Sequence, residues 1–137
     1  MTKNVREIFA SIDSFDPADF VTHLTDDVVF RFGNGDPLHG PAAVQEAVAG
    51  FFSTISGLTH HILHIWEPED GLVILHVDVE YRRQDGETVY TPNVDILRFE
   101  GDKVADWQIV IDLAPVYAPI AEVPAAVLTP ATATQAA

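Results

Sequence analysis

His76, Asp78, Asp95 and Asp112 are the residues of this chain best suited to proton transfer, because each interrupts a run of Val, Ile, Leu and Tyr. An imidazole beside a carboxylate is held in one tautomer and one orientation, as abstraction of a proton near neutral pH requires. His76, with Asp95 as its orienting partner, is therefore the expected base. Two carboxylates crowded in a partly dry hollow repel, so one of Asp78 and Asp112 is expected to keep its proton and serve as general acid. The same residues would also fit an ordinary cross-strand ion pair and two solvated acids, and only their placement separates the two readings.

That placement depends on strands. Gly71 to Arg83, GLVILHVDVEYRR, reads as one long strand bracketed by Gly71 and Asp85-Gly86. Alternation puts Val73, Leu75, Val77, Val79 and Tyr81 in one row and Leu72, Ile74, His76, Asp78 and Glu80 in the other. A two-residue loop at Asp85-Gly86 pairs Gln84 with Glu87, which sets His76 opposite Asp95 and Asp78 opposite Asn93. A similar loop at Gly101-Asp102 pairs Phe99 with Val104, Asp95 with Gln108, Asn93 with Val110 and Thr91 with Asp112. One face then gathers the histidine, the acids, Thr91, Asn93 and Gln108, and a one-residue slip in either turn would scatter them. The other face holds the apolar row with Tyr90, Val94, Ile96, Trp107, Ile109 and Ile111.

Two arrangements follow. In one, helices cover the apolar face and the polar face meets water. The mixed face, however, also carries Leu72, Ile74, Leu97, Phe99 and Val104, a large apolar area for a free surface. The expectation is therefore that helices cover the mixed face, leaving a pocket at its polar end, and that a second copy of the chain buries the outer, apolar face.

Upstream, Val5, Ile8, Phe9, Ile12 and Phe15 recur at helical spacing, predicting a helix over 4–15. Asp16-Pro17 is an N-cap followed by proline and opens a short second helix to about Leu24. A brief strand over 28–32, a Gly/Pro loop over 33–40 and a helix opened by Pro41 come next, then strands over 58–66, 72–83, 87–99 and 103–113. Helices first and an antiparallel run afterwards make an α+β domain over residues 1–118. Residues 119–137 are Ala/Pro/Thr-rich without periodicity and read as a flexible tail. Arg31, between Phe30 and Phe32, is placed to bind an anionic or enolate oxygen, or to neutralise Asp112. Asn93 and Gln108 would join it as substrate contacts, and Phe30, Phe32 and Trp66 belong to the core or to an apolar pocket wall. His60 and His64 share a strand face, but no thiolate or recognisable ligand spacing accompanies them, and no metal is expected.

A net charge of −14 argues against nucleic acid and against anionic membrane surfaces as partners. The absence of cysteine excludes disulfides and thiol chemistry. With no apolar run of spanning length and no signal-peptide core, a cytoplasmic location is expected.

The segments HGPAAVQEAVAGFF, GLVILHVDVEY, VDILRF and DWQIVIDLAP together resemble the nuclear transport factor 2-like superfamily, in its SnoaL-like polyketide cyclase branch. The resemblance implies a cone-shaped, curved antiparallel sheet wrapped around three N-terminal helices, commonly dimeric. His76-Val77-Asp78 and the strand from Trp107 to Asp112 are similar to limonene epoxide hydrolase, whose two aspartates would fall on Asp78 and Asp112. His76 stands where that family has arginine, and Phe30 and Phe32 where it has tyrosine and asparagine. Asp95 in VDILRF matches the oxyanion-hole aspartic acid of ketosteroid isomerase, while the position of that family's general base falls on Arg31 or Phe32. The chemistry implied is cofactor-independent acid–base work on a hydrophobic small molecule, of cyclase, isomerase or dehydratase type. A non-catalytic binding or dimerisation module and an epoxide hydrolase are the alternatives.

Overall fold

The computed structural model describes residues 4–118. Helix α1 (Val5–Asp13) buries Val5, Ile8 and Phe9, and two residues beyond its end Phe15 takes a left-handed φ of 68°. In α2 (Pro17–Phe20) the Asp16 carboxylate accepts from the Ala18 N–H at 3.0 Å and proline fills the first position. A 3-10 turn over Val21–His23 follows. Strand β1 (Leu24–Phe32) begins four residues earlier than expected, with Asp26 and Asp27 at an irregularity between Leu24 and Val29. The glycine-rich loop folds back as the two-residue strand β2 (Leu38–His39), and α3 (Pro41–Phe52) starts at Pro41. Four long strands complete the sheet: β3 (Ile55–Glu69), β4 (Leu72–Arg83), β5 (Thr88–Glu100) and β6 (Lys103–Ile111), before a single turn, α4 (Ala114–Tyr117). Their order is β2-β1-β6-β5-β4-β3, with β1 and β6 parallel and the other pairs antiparallel. The α+β fold is thus a curved, unclosed sheet with helices at the N-terminal end. The Ala/Pro/Thr-rich stretch from 119 lies outside the described residues.

The register departs from expectation at both turns. The β4–β5 hairpin closes through Arg83 N–H to Glu87 O (2.8 Å) and Gly86 N–H to Arg83 O (3.1 Å), so three residues form the loop. Gly86 sits at φ 91°, the positive-φ position that a three-residue loop needs. His76 therefore opposes Val94, not Asp95, and Asp78 opposes Pro92, not Asn93. The β5–β6 hairpin starts as expected, with Phe99 opposite Val104, but a bulge at Arg98/Phe99 then shifts Asp95 opposite Ile109 and Asn93 opposite Ile111.

The two slips together turn over one strand, β5. Thr91, Asn93, Asp95, Leu97 and Phe99 are buried with the β4 row of Val73, Leu75, Val77, Val79 and Tyr81, and with Trp107 of β6. The helices cover this inner face through Val5, Ile8, Phe9, Phe20, Val44 and Phe52. The expectation that they cover the face bearing His76 and Asp78 is corrected. Strand β3 carries three register shifts, at Ile55/Gly57, Ile62/His64 and Trp66/Glu69, which bend it around the helices.

Candidate active site

Between α1–α3 and the inner face lies a cavity of about 80 Å³. Most of its wall is apolar, with Phe20, Phe30, Phe32, Phe51, Tyr81 and Trp107 supplying aromatic faces. Its polar groups come from three adjacent strands: His60 from β3, the Tyr81 hydroxyl from β4, and Asn93 and Asp95 from β5. The buried apolar row of β4 lies beside them on the same face, so the polar groups stand in largely apolar surroundings.

Asp95 is 1% exposed. One of its oxygens accepts from Trp107 Nε1–H at 2.8 Å, and the other accepts a short hydrogen bond from Asn93 Nδ2. Trp107 is itself fixed by the rings of Phe9, Phe20 and Phe30, with centroids 5.3–5.8 Å away. Burial pushes the Asp95 carboxyl up from 3.8 to about 6, against the opposing pull of His60 and of its two hydrogen bonds. A carboxyl with that ionisation midpoint can exchange a proton near neutral pH. Both oxygens already accept, so above pH 6 it is an ionised acceptor, unlike the neutral donor that the ketosteroid isomerase resemblance implies.

His60 is held by Asp13, the last residue of α1. Asp13 Oδ1 lies 2.6 Å from His60 Nδ1, and Oδ2 accepts from the His60 backbone N–H at 2.9 Å. This double contact fixes ring and backbone together and presets the tautomer with Nδ1–H, leaving Nε2 to accept a proton. Phe9 packs edge-on against the ring at 5.1 Å. The hydroxyl of Tyr81, also on the wall, is pushed up in pKa by burial and then by the charges of Asp95, Tyr117 and Asp13. It stays a neutral O–H donor at every ordinary pH.

The structure brings together only part of the expected set. Phe30, Phe32, Asn93 and Asp95 line the cavity. His76 and Asp112 instead border a shallow hollow of the sheet with Pro92, Val94 and Val110, and Asp112 accepts from Ala114 N–H at 3.0 Å. His76 stacks on His64, with ring planes 4° apart, and His64 stacks on Trp66, so these three share the outer face. Asp78 opposes His61 and Pro92 on the same side. The pairing of His76 with Asp95 and that of Asp78 with Asp112 are both corrected, because the three-residue hairpin loop and the β5–β6 bulge place the partners on opposite faces or apart. Arg31 is exposed and donates from Nε to Gly35 O at 2.9 Å, bracing the turn after β1. Gln108 bonds Asp106 rather than facing the cavity, and Trp66 is exposed. His60 and His64 do not share a face, because the register shift at Ile62/His64 separates them. Among the described residues no three His, Asp or Glu side chains are grouped to hold a metal ion.

Asp13, His60, Tyr81 and Trp107 were not singled out as site residues by sequence. One signal was present at Asp13, since an acid in the last turn of a helix opposes the macrodipole and calls for another reason to be there.

With fold and site in view, comparison with known proteins is informative about class. A sequence model described as SnoaL-like domain matches residues 5–107, and the chain belongs to this family of the nuclear transport factor 2-like superfamily. No functionally curated protein matches the sequence. Among solved structures, it is similar to a protein of ketosteroid isomerase-like fold from Catenulispora acidiphila, in complex with trimethylamine, at 16% identity and TM-score 0.77, covering 89% of this chain and 98% of that one. It is similar also to an epoxide hydrolase of the limonene type from M. tuberculosis, at 12% identity and TM-score 0.71, covering 93% and 94%. TerC, co-crystallised with polyporic acid, matches at 16% identity and TM-score 0.71, covering 82% and 92%. At these identities the likeness is one of fold. No helix among the described residues is long and apolar enough to cross a membrane.

Proposed function

We propose that this protein is an acid–base enzyme acting on a hydrophobic small molecule, with His60 as the base that takes the proton and gives it back, Asp13 as its positioning residue, Asp95 as a carboxyl able to exchange a proton near neutral pH, and Tyr81 as the hydroxyl that donates a hydrogen bond to the enolate oxygen. The observation that carries this reading is the Asp13–His60 pair set against a buried Asp95 on the wall of an apolar cavity. A carboxyl with a midpoint near 6, an oriented imidazole and a hydroxyl donor are the parts that isomerisation, dehydration or ring closure through an enolate needs. Diol formation by the limonene-type arrangement is not favoured, because Asp78, Asp112 and His76 lie off the cavity wall. The test is deuterium incorporation from D2O into a panel of small apolar carbonyl compounds, amino ketones included, followed by proton NMR. Wild type is expected to exchange at least one α-position, and His60→Gln to slow that exchange by about 100-fold or more. Undiminished exchange in His60→Gln refutes the assignment.

A second reading concerns association. We propose that two copies pair through the outer sheet face. Two rows cross that face, His64–His76–Val94–Val110 and Trp66–Ile74–Ile96–Gln108, joined strand to strand. Leu63, Trp66, Tyr90 and Val110 are all about half exposed in the single chain. An apolar strip of this kind is unusual on a free surface. Sedimentation of Val110→Glu is expected to give a monomer where wild type gives a dimer, and a monomeric wild type would refute the pairing.

A further inference from the structure

The open polar atoms of the cavity are acceptors, with the Tyr81 hydroxyl the one donor among them. Asp95 presents a carboxylate whose two hydrogen bonds are both accepted ones. Asn93, 3% exposed, donates through Nδ2 to Asp95, and this leaves its Oδ1 buried with no partner among the described residues. His60 has Nδ1 engaged by Asp13, so its remaining nitrogen is the accepting one. No Lys or Arg lies on the cavity wall. Two carboxylates, Asp13 behind His60 and Asp95 on the wall, therefore accompany a single imidazole, and once Asp95 is ionised, above about pH 6, the group carries excess negative charge whichever form that imidazole takes.

We propose that the cavity binds a small apolar ammonium ion, a protonated alkyl amine, with its N–H groups accepted by Asp95 and Asn93 and its carbon surface against the aromatic wall. The proposal rests on the reading of this cavity as the working site and names the class of molecule held there. A buried carboxylate gains more from a paired cation than from a neutral hydroxyl, because its own desolvation is then offset. The π faces of Phe30, Phe51, Tyr81 and Trp107 favour the same charge. The unpartnered Asn93 oxygen is satisfied by a second N–H. An anion would meet Asp95 and Asp13 with at most the one imidazole of His60 as counter-charge. The volume, about 80 Å³, is below the ~150 Å³ that admits benzene, which limits the enclosed head to a few carbons.

The test compares two probes of one shape, tert-butylammonium and tert-butanol, with the bulkier anion pivalate beside them. Binding is followed by the indole N–H NMR signal of Trp107, with the exposed Trp66 indole as a reference at each fixed pH. At about pH 7.5 tert-butylammonium is expected to bind roughly tenfold or more tightly than tert-butanol, and pivalate not to shift Trp107. In Asp95→Asn the ammonium preference should collapse to within about twofold. Wild type supplies a second arm should that variant fail to fold. The groups facing Asp95 are His60 from β3, Asp13 of α1 behind it, and Tyr81 from β4. Lowering the pH to about 5 neutralises most of Asp95, and any proton taken up by His60 acts in the same direction. Ammonium binding should then weaken by about tenfold while tert-butanol holds steady. Equal or tighter binding of tert-butanol, a preference that survives in Asp95→Asn, or no binding by any probe overturns the proposal. A confirmed ammonium preference with undiminished exchange in His60→Gln would instead refute the catalytic reading alone.

Discussion

Replacing Asp95 with asparagine is expected to change the pH dependence of stability in a way that can be worked out from the burial of one carboxyl. In the folded chain Asp95 holds its proton up to about pH 6, whereas its ordinary value is 3.8. Between those values the folded state binds more protons than the unfolded one, so the stability contributed by this group is present below pH 3.8 and is lost as the pH rises through 6. The gap corresponds to about 3 kcal/mol. The other carboxylates of a chain with net charge −14 also titrate in this range, so the informative quantity is wild type minus Asp95→Asn. That difference should fall by about 2 kcal/mol between pH 4 and pH 7.5, because part of the loss has already occurred at pH 4, or a relative shift of roughly 10 °C in Tm. The amide can be accommodated. It can accept from Trp107 while donating to Asn93, whose unpartnered Oδ1 becomes the acceptor once that amide turns round. Urea unfolding at several pH values, read by tryptophan fluorescence, measures both proteins. A difference that stays flat from pH 4 to pH 8 would show that Asp95 is not held in a dry enclosure, and the acid–base reading would lose its footing.

Three further variants give outcomes that can be stated in advance. His60→Gln removes one of the groups that lower the Asp95 pKa, so the titration midpoint of the Trp107 indole N–H signal should move above 6; an unchanged midpoint would mean that the imidazole does not act on Asp95. Asp13→Asn keeps the bulk at the end of α1 but loses the charged partner of His60, and should cost about 1–2 kcal/mol in urea unfolding. The same variant should slow proton exchange mainly through kcat, with Asp13→Glu restoring part of it, and a pure rise in KM would contradict its role as a positioning residue. Phe15→Asn relieves a left-handed backbone but forfeits the stack on Phe52 at 4.5 Å, so thermal unfolding should show a net loss of about 1–2 kcal/mol. A stabilised Phe15→Asn would show that backbone strain outweighs the stack.

Local sequence signals placed the elements well because each rests on chemistry confined to a few residues. Asp16-Pro17 and Pro41 mark helix starts, and Leu72–Arg83 is a strand bounded where its flanking turn residues say. Two-state local rules do not reach the relation between strands. Asp85-Gly86 is compatible with a two- or a three-residue loop, and the choice decides whether Asp95 faces His76 or the cavity. The bulges at Arg98/Phe99 and Ile62/His64 leave no mark in composition, yet the second alone moves His64 off the face that holds His60. The site was therefore half legible. Phe30, Phe32, Asn93 and Asp95 reach the cavity, while the imidazole comes from a different strand and its carboxylate from a helix almost fifty positions away in sequence.

The corrected register also explains how the most apolar strand sets the surroundings of the Asp95 carboxyl. Val73, Leu75, Val77 and Val79 of β4 are essentially inaccessible, and they lie between the strands that carry His60 and Asp95. An alternating polar row at those positions would have let water solvate the Asp95 carboxylate and returned its pKa toward 3.8. The wall of valine and leucine does the reverse, so the perturbation of Asp95 is a property of its neighbours rather than of Asp95 itself. A single polar replacement in that row, such as Leu75→Asn directly opposite Asp95, should then lower the Trp107-reported midpoint although it removes no contact to the carboxylate. A midpoint still at about 6 in that variant would mean that burial by β4 is not what raises it. The hydrogen bonds from Asn93 and Trp107 could not be credited instead, because both act in the lowering direction.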